Sequence, residues 1–218
     1  MRKILALLIL MFAFAAPAQA QSPQEVVERS RIAVQSVLGD PNFGMARAWL
    51  KSARGVLIMP NIVKAGFIVG GEGGYGVLVV RNSDGWSAPA FYMLAAASLG
   101  LQIGAEVKEV IFIINTEKGL DALLKNQMKL GADASLALGP IGAGVEASTT
   151  GNPATDIIAF SKTQGVFGGA AFQGGVVSAK EDMNRDFYGR PLTTRQILSD
   201  AGLASPTADA LRRALAAY

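Results

Sequence analysis

Apolar positions in this 218-residue chain follow two different patterns. Near both ends they recur every three to four residues, the spacing of one face of an α-helix. Ser22-Pro23-Gln24-Glu25 forms a capping box with proline at the first helical position, so it predicts a helix start, and Gly39 predicts the end. Phe43 to Ala53 predicts a second helix, with Ala46, Trp49, Leu50 and Ala53 on one face. Near the C-terminus, Thr194 to Ala201 predicts a helix stopped by Gly202. Ser205-Pro206 opens a last one with Leu211, Ala214, Leu215 and Tyr218 on one side.

Between Arg54 and Lys180 that period disappears. Short apolar runs take its place: "GVLIM", "GFIVGG", "GVLVVR", "EVIFIIN", "DIIAF", "GVFGGAAF" and "GGVVSA". Glycine and polar turn residues separate them, so they predict closely spaced strands. One helix is predicted among them, capped by Thr116, with Leu120, Leu123 and Leu124 as its apolar face. The expected fold is α+β: a single domain whose strongly curved or barrel-like, mostly antiparallel, glycine-rich sheet has flanking helices at both ends. Twenty-five glycines suit such a sheet, because glycine in strands marks bulges, corners and close approaches of another backbone or a ligand.

Six of those glycines lie in "IVKAGFIVGGEGGYGVLVV", where Gly71 to Gly76 spell G-x-G-x-x-G. A dinucleotide site needs a helix after this motif, because the helix N-terminus holds the pyrophosphate. Here a strand-like "VLVVR" follows. A kinase glycine loop sits between strands, yet a kinase also needs a His-Arg-Asp loop and an Asp-Phe-Gly. The chain contains no histidine and no Asp-Phe-Gly, and the Gly-Lys-Ser/Thr ending of a P-loop is missing too. Neither a nucleotide nor any other cofactor is expected, and tight hairpin geometry is the expected role of the glycines.

The first twenty residues read as an export signal. Arg2 and Lys3 precede the apolar stretch Ile4 to Ala16, and Ala18-Gln19-Ala20 is a small-x-small cleavage site. The stretch is shorter than the ~20 residues of a membrane-spanning helix. The expected product is residues 21–218, periplasmic or secreted. With no cysteine in the chain, it is expected to be neither a lipoprotein nor disulfide-bonded, so its core must hold it together. Cleavage would leave 18 basic side chains against 17 acidic ones, since Arg2 and Lys3 are lost and no acid is. That near balance does not suit a nucleic-acid binder.

Without histidine or cysteine, the usual serine and cysteine triads are impossible, and a zinc site would need carboxylates alone. Neither G-x-S-x-G nor S-x-x-K occurs. Asp182 to Asp186 opens like a calcium loop, D-x-N-x-D, but its sixth position is Phe187 and its twelfth is Thr193. A capped turn is expected there, with no metal. Glu106 and Glu109, or Glu181 and Asp182, are the carboxylates available for acid–base work, and solvated strand ends are their expected place. Arg47, Lys51 and Arg54 are spaced to share a helix face opposite Trp49 and Leu50, with Lys64 just beyond. Two readings stay open: a basic face lying on an anionic membrane, or solvated cations above a core-facing stripe.

Longer blocks carry a more specific signal. "ARGVLIMPNIVKAGFIVGGEGGYGVLVVR", "GWSAPAFYMLAAASLGLQIGAEVKEVIFIINT", "LGADASLALGPIGAGVEAS", "FSKTQGVFGGAAFQGG" and "DMNRDFYG" span Ala53 to Gly189. In order and spacing they resemble the conserved blocks of the SYLF domain family. The resemblance implies binding of anionic phospholipids and no enzymatic activity, with an amphipathic helix near the domain start involved. Some eukaryotic members also bind actin, which is not expected for an exported protein. Arg47, Lys51, Arg54 and Lys64 thereby become candidate headgroup ligands and Trp49 a candidate membrane anchor, by helix geometry combined with the family's lipid habit. The rival class is an envelope protein that binds another protein through strand edges or apolar patches.

Overall fold

The computed structural model describes residues 21–140, 142, 154–163, 174–203 and 205–218, and the side chains of all of these except 65–69 and 98–105. The proposed signal, residues 1–20, and the run "GVFGGAAF" lie outside the described residues.

Two very long strands organise the molecule: β1 (Gly55–Asn82) and β3 (Ala90–Ile114). They pair antiparallel, and the short β2 (Gly85–Trp86) adds to the other edge of β1 through a tight hairpin. The far edge of β3 is shared. Its C-terminal part pairs with β6 (Ile157–Thr163), and its N-terminal part with β7 (Val176–Ala179). β5 (Leu136–Leu138) extends β6 in parallel, and β4 (Gln127–Lys129) extends β7. The fold is therefore α+β with a curled, mostly antiparallel sheet flanked by helices, as the sequence predicts.

"GVLIM", "GFIVGG" and "GVLVVR" are not three strands, however, but successive parts of β1. Residues 90–108, too alanine-rich and glycine-rich to mark a strand by composition, continue into "EVIFII" as β3. The G-x-G-x-x-G motif is not a hairpin turn either. Gly71 to Gly76 pair one by one with Ala97 to Tyr92 in mid-ribbon.

The continuous apolar runs exist because both faces of the sheet are covered. Leu57, Met59, Leu78, Val80, Tyr92, Leu94, Val110, Phe112 and Ile114 point inward into one core. Their sequence neighbours Val56, Ile58, Val77, Val79, Phe91, Ile111 and Ile113 point outward into a second. The inner core is closed by α3 (Glu117–Leu123) and α5 (Thr194–Ser199). The outer core lies under α1 (Pro23–Leu38), α2 (Gly44–Leu50), α4 (Glu181–Tyr188) and α6 (Pro206–Ala216). Val26, Val27, Ser30, Ala33, Val34, Val37 and Leu38 form the buried face of α1, as a 3.6-residue period requires.

Curling depends on two irregularities and a close approach. The register shifts between Met59 and Ile62, where β1 carries an extra residue at Pro60-Asn61 opposite Glu109. Proline lacks the ladder N–H, so a bulge is where a strand tolerates it. A second shift falls between Gly66 and Ile68. The ribbon doubles back so that the two halves of β1 meet, and the Arg81 N–H donates to the Arg54 carbonyl at 2.9 Å. A Cβ on Gly74 would collide with the Asn61 carbonyl, and one on Gly76 with the Ile58 carbonyl and the Met59 sulfur.

Helix boundaries shift where local chemistry differs from the periodicity. A 3-10 turn, Pro41–Phe43, precedes α2, which ends at Leu50 rather than Ala53. The Thr194 helix stops at Ser199 and carries a complete Thr193/Gln196 capping box. The expected turn at Asp182 is α4, ended by Gly189 in the left-handed region at φ 68°. Glycine substitutions separate the roles. Gly71→Ala meets only ordinary contact, 3.9 Å from the Ala96 carbonyl, and is expected to change stability by less than about 1 kcal/mol. Gly76→Ala is expected to cost roughly 1–3 kcal/mol or more by overpacking. Urea denaturation of both variants checks the contrast.

Candidate functional site

The basic stretch around α2 is positioned by its apolar side. Met45, Ala46 and Leu50 are buried against the outer core, and Trp49 packs half-buried at its margin. Arg47 Nη1 donates to the carbonyls of Leu38 at 2.7 Å and Asp40 at 2.9 Å. Its charge thus sits at the C-terminal end of α1, where a cation complements the helix dipole. Because α2 ends at Leu50, Lys51 and Arg54 follow the helix instead of lying along it, and both are exposed. Arg54 pairs with Glu117 at 3.2 Å, an ion pair open to solvent on both sides and therefore weak. Lys64 lies apart from these three, half-exposed on β1 and in register with Glu106.

On the face that Lys64 shares with Ile62, the inner side of the sheet turns polar. Lys108 donates to Glu72 Oε2 at 2.9 Å, with their side chains only 9% and 4% exposed. Glu72 is the residue between the first two glycines of G-x-G-x-x-G, so the motif places a carboxylate, not a phosphate cradle, inside the curl. Ser161, opposite Val110 and thus on the same inner face, has a buried Oγ without a hydrogen-bond partner. Glu106 and Glu109 are not strand ends. Both are half-buried in mid-β3, and Glu109 stands opposite Lys162 of β6. Glu181 and Asp182 open α4, where Lys180 pairs with Asp182 at 3.1 Å. Among the described residues no group of three or more acidic side chains could hold a metal ion.

One carboxylate stands out that the sequence did not signal. Asp156, just before β6, is buried and accepts from Thr116 Oγ1 at 2.6 Å, Ser135 N at 2.8 Å, Ser135 Oγ at 2.9 Å and Lys118 Nζ at 3.1 Å. Burial alone would raise its pKa, but these donors together outweigh that and lower it to about 2. It fastens the start of α3, the β5 approach and β6 together, a structural role. The Glu72–Lys108 pair was legible only as a carboxylate inside a glycine run, because nothing local shows that Lys108 lies across from it.

Comparison with known proteins supplies what geometry alone does not. The Ysc84 family model, described as "Las17-binding protein actin regulator", matches residues 95–218. It is the same family as the SYLF domain that the blocks resemble. "Protein YSC84" of Saccharomyces cerevisiae is 35% identical over 170 residues, covering 76% of this chain and 36% of that protein. "LAS seventeen-binding protein 3" of the same species is 36% identical over 170 residues, 76% of this chain and 37% of that protein. "SH3 domain-containing YSC84-like protein 1" of Homo sapiens is 31% identical over 151 residues, 68% of this chain and 44% of that protein. The chain spans less than half the length of these curated relatives. The family description is that of a binding regulator, not of an enzyme. No helix among the described residues is long and apolar enough to cross a membrane.

Two stability measurements test the polar anchors. Lys108→Met alone strands a buried carboxylate and is expected to cost about 3–5 kcal/mol, whereas Lys108→Met with Glu72→Met is expected to come back close to the parent. Equal losses in the single and double variants contradict that. For Asp156, the lowered pKa means the folded state binds the proton less tightly than the unfolded chain does. Its contribution, about 2 kcal/mol, is complete above the unfolded value of about 4 and is lost as pH falls through about 2. The stability gap between parent and Asp156→Asn should therefore close between those pH values.

Proposed function

The chain belongs to the Ysc84 (SYLF) family, and from that premise we propose that it is an exported protein that associates peripherally with anionic phospholipid surfaces. Residues 1–20 serve as the cleaved signal, and 21–218 act as one lipid-binding domain in the periplasm or outside the cell. The observation that carries the reading is the stretch after α2. Exposed Lys51 and Arg54 flank the end of a short helix whose other side is fixed in the core, so the cations are presented on a rigid support. Half-buried Trp49 beside them is the candidate anchor at the bilayer interface. Arg47 adds its charge from behind, through the carbonyls it bridges, and Lys64 is a further headgroup contact on the ribbon.

A second reading is favoured by the relatives' names. If the Las17-binding role named for them reflects a surface retained by this chain, it is a protein-interaction module. Exposed Ile32, Val63 and Leu138 supply apolar contacts for such a partner. Flotation of the purified protein with phosphatidylcholine and with phosphatidylglycerol vesicles separates the two. Anionic-selective flotation that weakens with salt is expected, since charge interactions are screened over ~8 Å at physiological ionic strength. Lys51→Ala with Arg54→Ala should lower vesicle affinity about 30-fold, at roughly 1 kcal/mol per surface cation. No preference for anionic vesicles, together with capture of one stoichiometric protein partner, would favour the second reading.

A further inference from the structure

A cleft of about 380 Å³ opens where the β1–β2 hairpin meets α6. Arg81, Arg212 and Arg213 line it with Trp86, and Asp84 stands on its wall. The guanidinium of Arg81 lies 4.3 Å from the centre of the Trp86 ring. Its Nη2 donates to the Leu50 carbonyl at 2.9 Å and its Nε to the Ala53 carbonyl at 3.3 Å. Arg212 is equally fixed: Nε donates to Ser87 O at 3.2 Å, Nη2 to Leu203 O at 2.6 Å and Nη1 to Asp209 Oδ1 at 3.2 Å. Arg213 is exposed and, among the described residues, makes no hydrogen bond or ion pair.

We propose that this cleft binds a phosphate monoester, presented either by a soluble phosphorylated metabolite or by a lipid headgroup. Two features select that chemistry. Guanidinium forks match phosphate oxygens bidentately, and carbonyls hold Arg81 and Arg212 in place before any ligand arrives, which reduces the ordering cost of binding. The donors left over are Nη1 of Arg81, one N–H on each Nη of Arg212 and the whole of Arg213. Because Asp209 pairs with Arg212, two unpaired cationic groups remain, Arg81 and Arg213. Phosphate monoesters carry roughly −1.5 to −2 charges at neutral pH and so match both, whereas a carboxylate matches one. Asp84 on the wall and Asp209 behind Arg212 set the remaining local charge, and they disfavour larger polyanions. Trp86, Ala201 and Ala216 give the cleft an apolar wall for the organic part of the ligand. Its volume lies within the range on the order of 300–1,000 Å³ typical of small-molecule sites. The site is separate from Lys51 and Arg54 and does not rest on their lipid role.

Calorimetric titration with glycerol 3-phosphate, and flotation with phosphatidylcholine vesicles doped with phosphatidic acid, test the proposal on the same protein. Binding is expected in at least one arm, displaced by inorganic phosphate and not by acetate. Arg213→Ala should weaken it about tenfold or more, as loss of a charged hydrogen bond does. Arg213 is exposed, so the melting temperature should hold, and Arg29→Ala, at an exposed position of α1 beside Pro60 and Lys162, should leave binding unchanged. Glycerol 3-phosphate binding identifies a soluble ligand; binding confined to the vesicles, and lost in Arg213→Ala, identifies a lipid. Binding in neither arm, or binding indifferent to Arg213→Ala, overturns the proposal. Vesicle flotation that survives Arg213→Ala but fails in the Lys51→Ala, Arg54→Ala variant leaves the membrane reading standing without this site.

Discussion

The contact on which this structure depends is that of a strand with itself. β1 runs from Gly55 to Asn82 and would extend about 90 Å if straight, yet Arg81 near its end donates a backbone hydrogen bond to Arg54, the residue just before its start. That is possible because Gly74 and Gly76 have no Cβ to meet the carbonyls of Asn61 and Ile58. Once the ribbon is doubled, one face of β1 and β3 is enclosed and the other is free to receive helices. The alternation of side chains along each strand then feeds two cores from one apolar run.

A sheet buried on both faces must settle its polar groups locally. Glu72 answers Lys108 inside the curl, and Asp156 collects four donors where α3 and β6 begin. Outside, Arg47, Arg81 and Arg212 each spend guanidinium donors on backbone carbonyls. Such bonds orient an arginine without neutralising it, so Arg47 and Arg81 keep their charge for a ligand or a surface, while Asp209 pairs with Arg212. The basic character of the α2–β2–α6 side is in this sense a by-product of how the helices are pinned to the sheet.

The sequence disclosed the elements that rely on local chemistry. Ser22, Thr116 and Pro206 mark helix starts that are present as read. It disclosed the class of sheet as well, through glycine content and apolar runs. It did not disclose the length of the two strands. Residues 95–98, Ala-Ala-Ala-Ser, carry small side chains with little strand preference of their own, and pairing with β1 makes them β. The glycine motif's close contacts join Gly74 to Asn61 and Gly76 to Ile58, across a bend of the strand that no local pattern encodes. Likewise, spacing placed Arg47, Lys51 and Arg54 on one helix face, whereas the helix ends between the first and second of them. The arginine cleft draws on β1, β2 and α6 together, so it emerges only after folding.

The doubling of β1 is open to a direct distance measurement. The chain lacks cysteine, so spin labels placed at Ser52→Cys and Ser83→Cys, both exposed positions flanking β1, report without interference. A doubled ribbon predicts an interlabel distance of about 20 Å or less by pulsed electron resonance. A distance beyond about 40 Å, on the way to the ~90 Å of an extended strand, would contradict the close approach at Gly74 and Gly76, and with it the two-core architecture built on it.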